Sequence, residues 1–217
     1  MSGGFPIDIV LFAMIALFLV FRLRSILGRR TGMERRPGPV PVPGMARPGP
    51  IVEGRAEPVP GRSLPDPGSA VGVTLQRMRS VDGAFDPAHF LGGAEAAFRM
   101  IVDAFARGDR VALRPLLSDA TYANFEQAIA AHETAGETRT NEIKAIEQAA
   151  IEQAELDGSV ARISVRFVSS QVATVRDGEG RPVSGSDAPT ELTDLWTFER
   201  DLKQPDPAWR LTAARSG

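Results

Sequence analysis

The sequence predicts an α+β domain, with helices packed on one face of a curved antiparallel sheet, set behind a single transmembrane helix and a disordered proline-rich linker. Three observations predict it. The run from Ile9 to Phe21 is apolar without interruption, and arginines follow it. Ten of the 17 prolines fall between residues 37 and 68. Beyond residue 70, segments with helical spacing of apolar residues come first, and segments with strand alternation come after them.

Composition narrows the chemistry. A chain of 217 residues has room for one ordinary domain and a tail. The absence of cysteine excludes disulfides, thiolate metal sites and a cysteine nucleophile. The two histidines, His89 and His132, are far apart and form no ligand-spaced pair, so neither a metal nor a cofactor is expected. His132 reads as a packing residue at a helix end and His89 as exposed. The net charge of −2 conceals an asymmetry: +4 over residues 1–36, zero over 37–68 and −6 over 69–217. An acidic main domain argues against nucleic acid as a partner, because binding the phosphate backbone needs clustered Lys and Arg.

Residues 1–27 read as an anchor. From Phe5 to Leu23 only Pro6, Asp8 and Arg22 interrupt the apolar character, and a helix of that length spans roughly 28 Å, close to the ~30 Å of a bilayer core. Ile7, Ile9, Leu11, Phe12, Ile15, Leu17, Phe18, Val20 and Phe21 are its transmembrane side chains. A cleavable signal peptide would carry its positive charge before the apolar run. Here the charge comes after it, on Arg22, Arg24, Arg29 and Arg30. Positive flanks stay in the cytoplasm, so the N-terminus is expected outside and the remainder inside. The same basic flank could hold anionic lipid, at about 1 kcal/mol per charge near the surface.

Residues 28–70 follow as a linker. Between 37 and 68 there are ten prolines, six glycines and no aromatic residue, too little apolar surface to offset the entropy of ordering. A coil of about 40 residues reaches roughly 35 Å, so the arrangement is that of a tethered domain at 71–217.

Within that domain, Leu75, Met78 and Val81 give a short helical face. Asp86-Pro87 supplies a cap with proline at the first helical position, and Ala94, Ala97, Phe98, Ile101, Val102 and Phe105 follow at helical spacing until Gly108. Asp109 caps a short turn. Ser118 caps a third long helix with Tyr122, Phe125, Ile129 and His132 on its buried stripe, ended by Gly136. Ile143, Ile146, Ala150, Ile151 and Ala154 are spaced as in a helix, so periodicity alone makes residues 141–156 helical. Val160 to Arg176 alternates as a strand, with Ser169-Ser170-Gln171 as a bend. Asp177-Gly178-Glu179-Gly180 is a hairpin turn, and strands are expected from Leu192 to Arg200 and from Trp209 to Ala213.

Four spaced blocks stand in the first half of the domain: Phe90-Leu91-Gly92-Gly93-Ala94 with Ala97-Phe98, Ala104-Phe105-Ala106-Arg107-Gly108-Asp109, Leu113-Arg114-Pro115-Leu116-Leu117-Ser118 and Tyr122-Ala123-Asn124-Phe125. Ala161 to Phe167, Asp194 to Asp201 and Pro205 to Leu211 follow in the second half. Together, over roughly Phe85 to Ala213, these blocks resemble the Tim44-like domain family, bacterial TimA branch. The resemblance implies a nuclear-transport-factor-two-like cone with an apolar pocket between helices and sheet. It also implies that Ile143 to Leu156 is one long, bent or bulged strand, against the periodicity. The TimA branch implies an adaptor or scaffold at the bacterial inner membrane. Mitochondrial relatives recruit a chaperone motor to a protein-import channel, so a translocation or chaperone machinery is the expected protein partner. The recruiting segment of those relatives lies where this chain has only its proline-rich linker.

In such a cone Phe98, Ile101, Phe105, Phe125, Phe167, Trp196 and Trp209 are the candidates to line the apolar pocket, and each is equally a plain core residue. Asp194, Glu199 and Arg200 surround Trp196, but strand alternation puts Asp194 and Glu199 on opposite faces, so no catalytic pair is expected. The reading is a non-enzymatic, single-pass membrane protein presenting a protein- or lipid-binding domain to the cytoplasm. Its rivals are a periplasmic assembly factor of a secretion system, which needs the opposite orientation, an enzyme of the same fold type, which needs a polar dyad in the pocket, and a ribosome-associated insertion factor.

Overall fold

A computed structural model of the chain describes residues 61–216. The anchor expected at 1–27, with its basic flank, and most of the linker lie outside the described residues. The described chain runs β1 (Arg62–Ser63), α1 (Ala70–Val81), α2 (Pro87–Ala106), α3 (Arg110–Leu113), α4 (Asp119–Thr134), β2 (Thr138–Asp157), β3 (Val160–Arg176), β4 (Pro182–Asp201) and β5 (Arg210–Ser216). Helices pack against a five-stranded sheet of order β1-β2-β3-β4-β5.

The helix boundaries follow from capping. Asp86 accepts from the His89 amide at 2.7 Å, Asp109 from Ala112 at 2.9 Å and Ser118 from Thr121 at 3.3 Å, each satisfying a donor that the first turn leaves free. Gly108 and Gly136, at φ 67 and 65, close the second and fourth helices in the left-handed region that glycine enters without steric cost. Leu75 and Met78 turn inward from α1, whereas Val81, expected beside them, is exposed.

The sheet departs from expectation in three places. It is mixed rather than antiparallel, because β1 pairs in parallel with Ala149 and Ala150 of β2. Residues 61–70, assigned to the linker on composition, are thereby part of the fold. The helical reading of 141–156 by periodicity is overturned and the long bulged strand that the resemblance implies is found: Thr138 to Asp157 is one strand, with register shifts at Ile143/Ala145, Ile146/Gln148 and Ile151/Gln153. Third, β4 begins at Pro182, ten residues before the expected strand. Pro182, Gly185 and Pro189 give that stretch the composition of a loop. Pairing with β3 overrides it, and the extra residues sit in an irregularity between Ser186 and Thr190. Gly185, at φ 96, is required there, since a Cβ would stand 2.1 Å from the Ala173 carbonyl oxygen.

The core lies between the helices and the inner face of β3 and β4. Phe90, Leu91, Ala94, Phe98 and Ile101 of α2 meet Ile163, Val165, Phe167, Trp196 and Phe198. The turn after α3 closes the far edge, where Leu211 donates its amide to Leu116 and accepts from Ser118, at 2.8 and 3.0 Å.

Candidate functional site

The seven candidate pocket residues fall into three groups. Phe98 and Phe167 stack, and Trp196 stands edge-on to Phe98 with centroids 4.6 Å apart; these rings and Ile101 are all buried. They fill the middle of the domain. Phe105 and Phe125, half-buried, meet edge to face at 4.9 Å where α2 approaches α4. Trp209, also half-buried, packs at 4.6 Å on Phe90 and 5.9 Å on Phe85.

Beyond Phe167 the inner face of the sheet turns polar, which sequence reasoning missed. Ser169 and Gln171 continue the inward alternation of β3, and both are buried. Gln171 donates to Ser169 Oγ at 2.8 Å and accepts from the Asn141 amide at 2.9 Å, while Asn141 Oδ1 is buried without a partner. Asp194 faces the same side from β4, opposite Phe167 in register. Its carboxylate accepts from the Ser216 hydroxyl at 2.5 Å. Burial pushes its pKa above the ordinary aspartate value, and the Ser216 hydrogen bond offsets part of that shift. The signal available in sequence was the odd-numbered series Ile163, Val165, Phe167, Ser169, Gln171, in which the last two members are polar at inward positions.

Glu199 lies on the other face, ion-paired with Arg162 at 2.6 Å, and Arg200 pairs with Asp82 at 3.2 Å. Asp194, Glu199 and Arg200 therefore do not converge. Near the end of α4, His132 bridges Glu137 and Arg139, at 2.6 and 2.9 Å. Arginine has only donors, so Nε2 accepts from Arg139 and Nδ1 donates to Glu137. The Arg139 guanidinium lies 5.0 Å over the Phe105 ring, and its burial lowers its pKa, opposed by Glu137.

Among the described residues, two surface hollows are bordered mostly by charged and polar side chains. One, of about 460 Å³, is bordered by Asp119, Glu199, Arg200, Asp206 and Arg210; the other, of about 420 Å³, lies beside β1 at Arg62, Glu147, Gln148 and Val168. Neither is lined by any of the seven apolar candidates. Among the described residues no three His, Asp or Glu side chains are grouped to hold a metal, and no helix is long and apolar enough to cross a membrane.

Among solved structures, the intermembrane space region of the chloroplast protein ARC6 is similar at 11% identity and a TM-score of 0.45, over 61% of this chain and 97% of that one. No curated protein matches the chain. The model of the Tim44-like domain matches residues 71–216, from the first residues of α1 to the end of β5. Helices packed over a sheet fit that match, and the chain belongs to the Tim44-like domain family.

Proposed function

We propose that the protein is a membrane-anchored adaptor, holding its Tim44-like domain in the cytoplasm at the inner membrane of a bacterium to bind a protein or lipid partner in protein translocation or membrane-protein handling. One observation carries the reading: an uninterrupted apolar run from Ile9 to Phe21, followed by Arg22, Arg24, Arg29 and Arg30, stands ahead of a domain of this generally non-catalytic family. Anchoring raises the local concentration of the domain at the bilayer, so modest intrinsic affinity suffices. The separation of Asp194 from Glu199 supports binding over acid–base catalysis.

The test is crosslinking in membranes, with mass spectrometry of captured partners, alongside a reporter fused after Gly217 that is active only in the cytoplasm. An active reporter and capture of translocation or chaperone components are expected. Activity of a periplasmic reporter alone would overturn the orientation and the adaptor reading together.

A further inference from the structure

Residues 61–69 precede the matched domain, yet they are fixed to it at three points. The Ala149 amide donates to the Gly61 carbonyl at 2.7 Å, beside the parallel pairing of β1 with β2. Gly61 has φ 88, and a Cβ there would stand 2.9 Å from the carbonyl oxygen of Glu147, the residue β2 extrudes between Ile146 and Gln148. Next, the Arg62 guanidinium donates to both oxygens of Glu95 on α2, at 2.7 and 2.9 Å. It does so over Gly92, where a Cβ would come within 3.4 Å of it. Finally, Ser69 caps α1, its Oγ accepting from the Gly72 amide at 3.1 Å, and a Cβ at Gly72 would stand 2.1 Å from the Asp66 carbonyl oxygen.

We propose that residues 61–69 form a latch that docks and undocks as a unit while the rest of the domain stays folded. Its use, setting where and with how much slack the upstream chain leaves the domain, rests on the tether reading above; the latch itself does not. Little apolar contact holds it. Its one long hydrophobic side chain, Leu64, is 48% exposed, and the Arg62–Glu95 side chains are 32% and 20% exposed. A segment held by a two-residue ladder, one bidentate ion pair and a single helix cap opens well before global unfolding. Undocked, nine residues add up to about 30 Å of reach. Docked, they lead the chain off at β1, the edge of the sheet opposite β5.

The experiment is hydrogen exchange on the detergent-solubilised full chain, comparing the Ala149 amide with amides around Val165 in central β3. Glu95→Gln keeps the shape of the side chain and removes its charge. Exchange at Ala149 is expected to rise about tenfold, with Val165 unchanged. Unchanged exchange at Ala149, or equal acceleration at Val165, would overturn the latch. Because this readout needs neither a bilayer nor a partner, its failure leaves the topology and crosslinking results standing, and their failure leaves the latch standing.

Discussion

Phe98 of α2 lies against Phe167 of β3 with ring centroids 4.4 Å apart and planes 19° from parallel, and neither side chain is exposed. The pair joins helix layer to sheet. Phe98→Ala is expected to cost about 3–5 kcal/mol, from lost burial and the cavity left behind. Denaturant unfolding should show a lower midpoint with an unchanged slope. A partner-binding defect with no loss of stability would contradict the burial of this ring.

Asp194 sets a pH dependence. Its folded pKa lies above the ordinary aspartate value, chiefly through burial. The folded state therefore binds the proton more tightly, and the stability tied to that proton is full below the unfolded pKa and lost as pH rises through the folded one. Asp194→Asn retains an acceptor for Ser216 and removes the buried charge. It should melt higher than the wild type at pH 7, with the difference shrinking toward pH 4. A variant that melts lower at pH 7 would mean that the carboxylate is stabilised by a partner other than Ser216.

Gly185→Ala should be costly and local. The new methyl would meet the Ala173 carbonyl at 2.1 Å from a backbone at φ 96, so the far end of the β3–β4 hairpin must open. A loss of about 1–3 kcal/mol is expected, with faster amide exchange in residues 172–176 than around Val165. Equal stability of the two proteins would refute the close approach.

The Glu137–His132–Arg139 chain fixes a tautomer. Nitrogen NMR of the imidazole at neutral pH should place its proton on Nδ1, the less common form, because Nε2 faces the Arg139 donor. His132→Ala should cost about 1–3 kcal/mol by removing the acceptor that a half-buried guanidinium donates to. A proton on Nε2 would show that Arg139 points elsewhere.

The helical layer from α2 to α4 was legible because its ends carry their own chemistry. Asp86-Pro87, Gly108, Asp109, Ser118 and Gly136 act through their immediate neighbours, so spacing alone finds them. β2 was illegible for a reason its register makes plain. Its inward residues are Ile143, Ile146, Ala149, Ile151, Ala154 and Leu156, paired with Gln171, Ser169, Phe167, Val165, Ile163 and Ala161. Each of the three bulges inserts a residue and flips the phase, so inward positions recur at intervals of three and two and imitate a helix. Alanine, glutamate and glutamine strengthen the imitation. Only the resemblance to a family pointed to a strand. The aromatic candidates were legible as an apolar set but not as three separate groups. Gln171, read as part of a bend, and Asn141 were not recognised as inward polar residues, since nothing local tells a strand that its polar residues face a roof of helices.

The strand order across the sheet repeats the order along the chain, which bears on how the protein is made. β2 to β3 and β3 to β4 close across short turns, and β5 adds to the strand synthesised just before it. Each pairing is local and can form as the segment leaves the ribosome. β1 is the exception, since Arg62 waits for Ala149, 87 positions downstream. The growing chain carries that first strand open while α1 to α4 are made, and a chain arrested before Ala149 would have nothing for it to pair with.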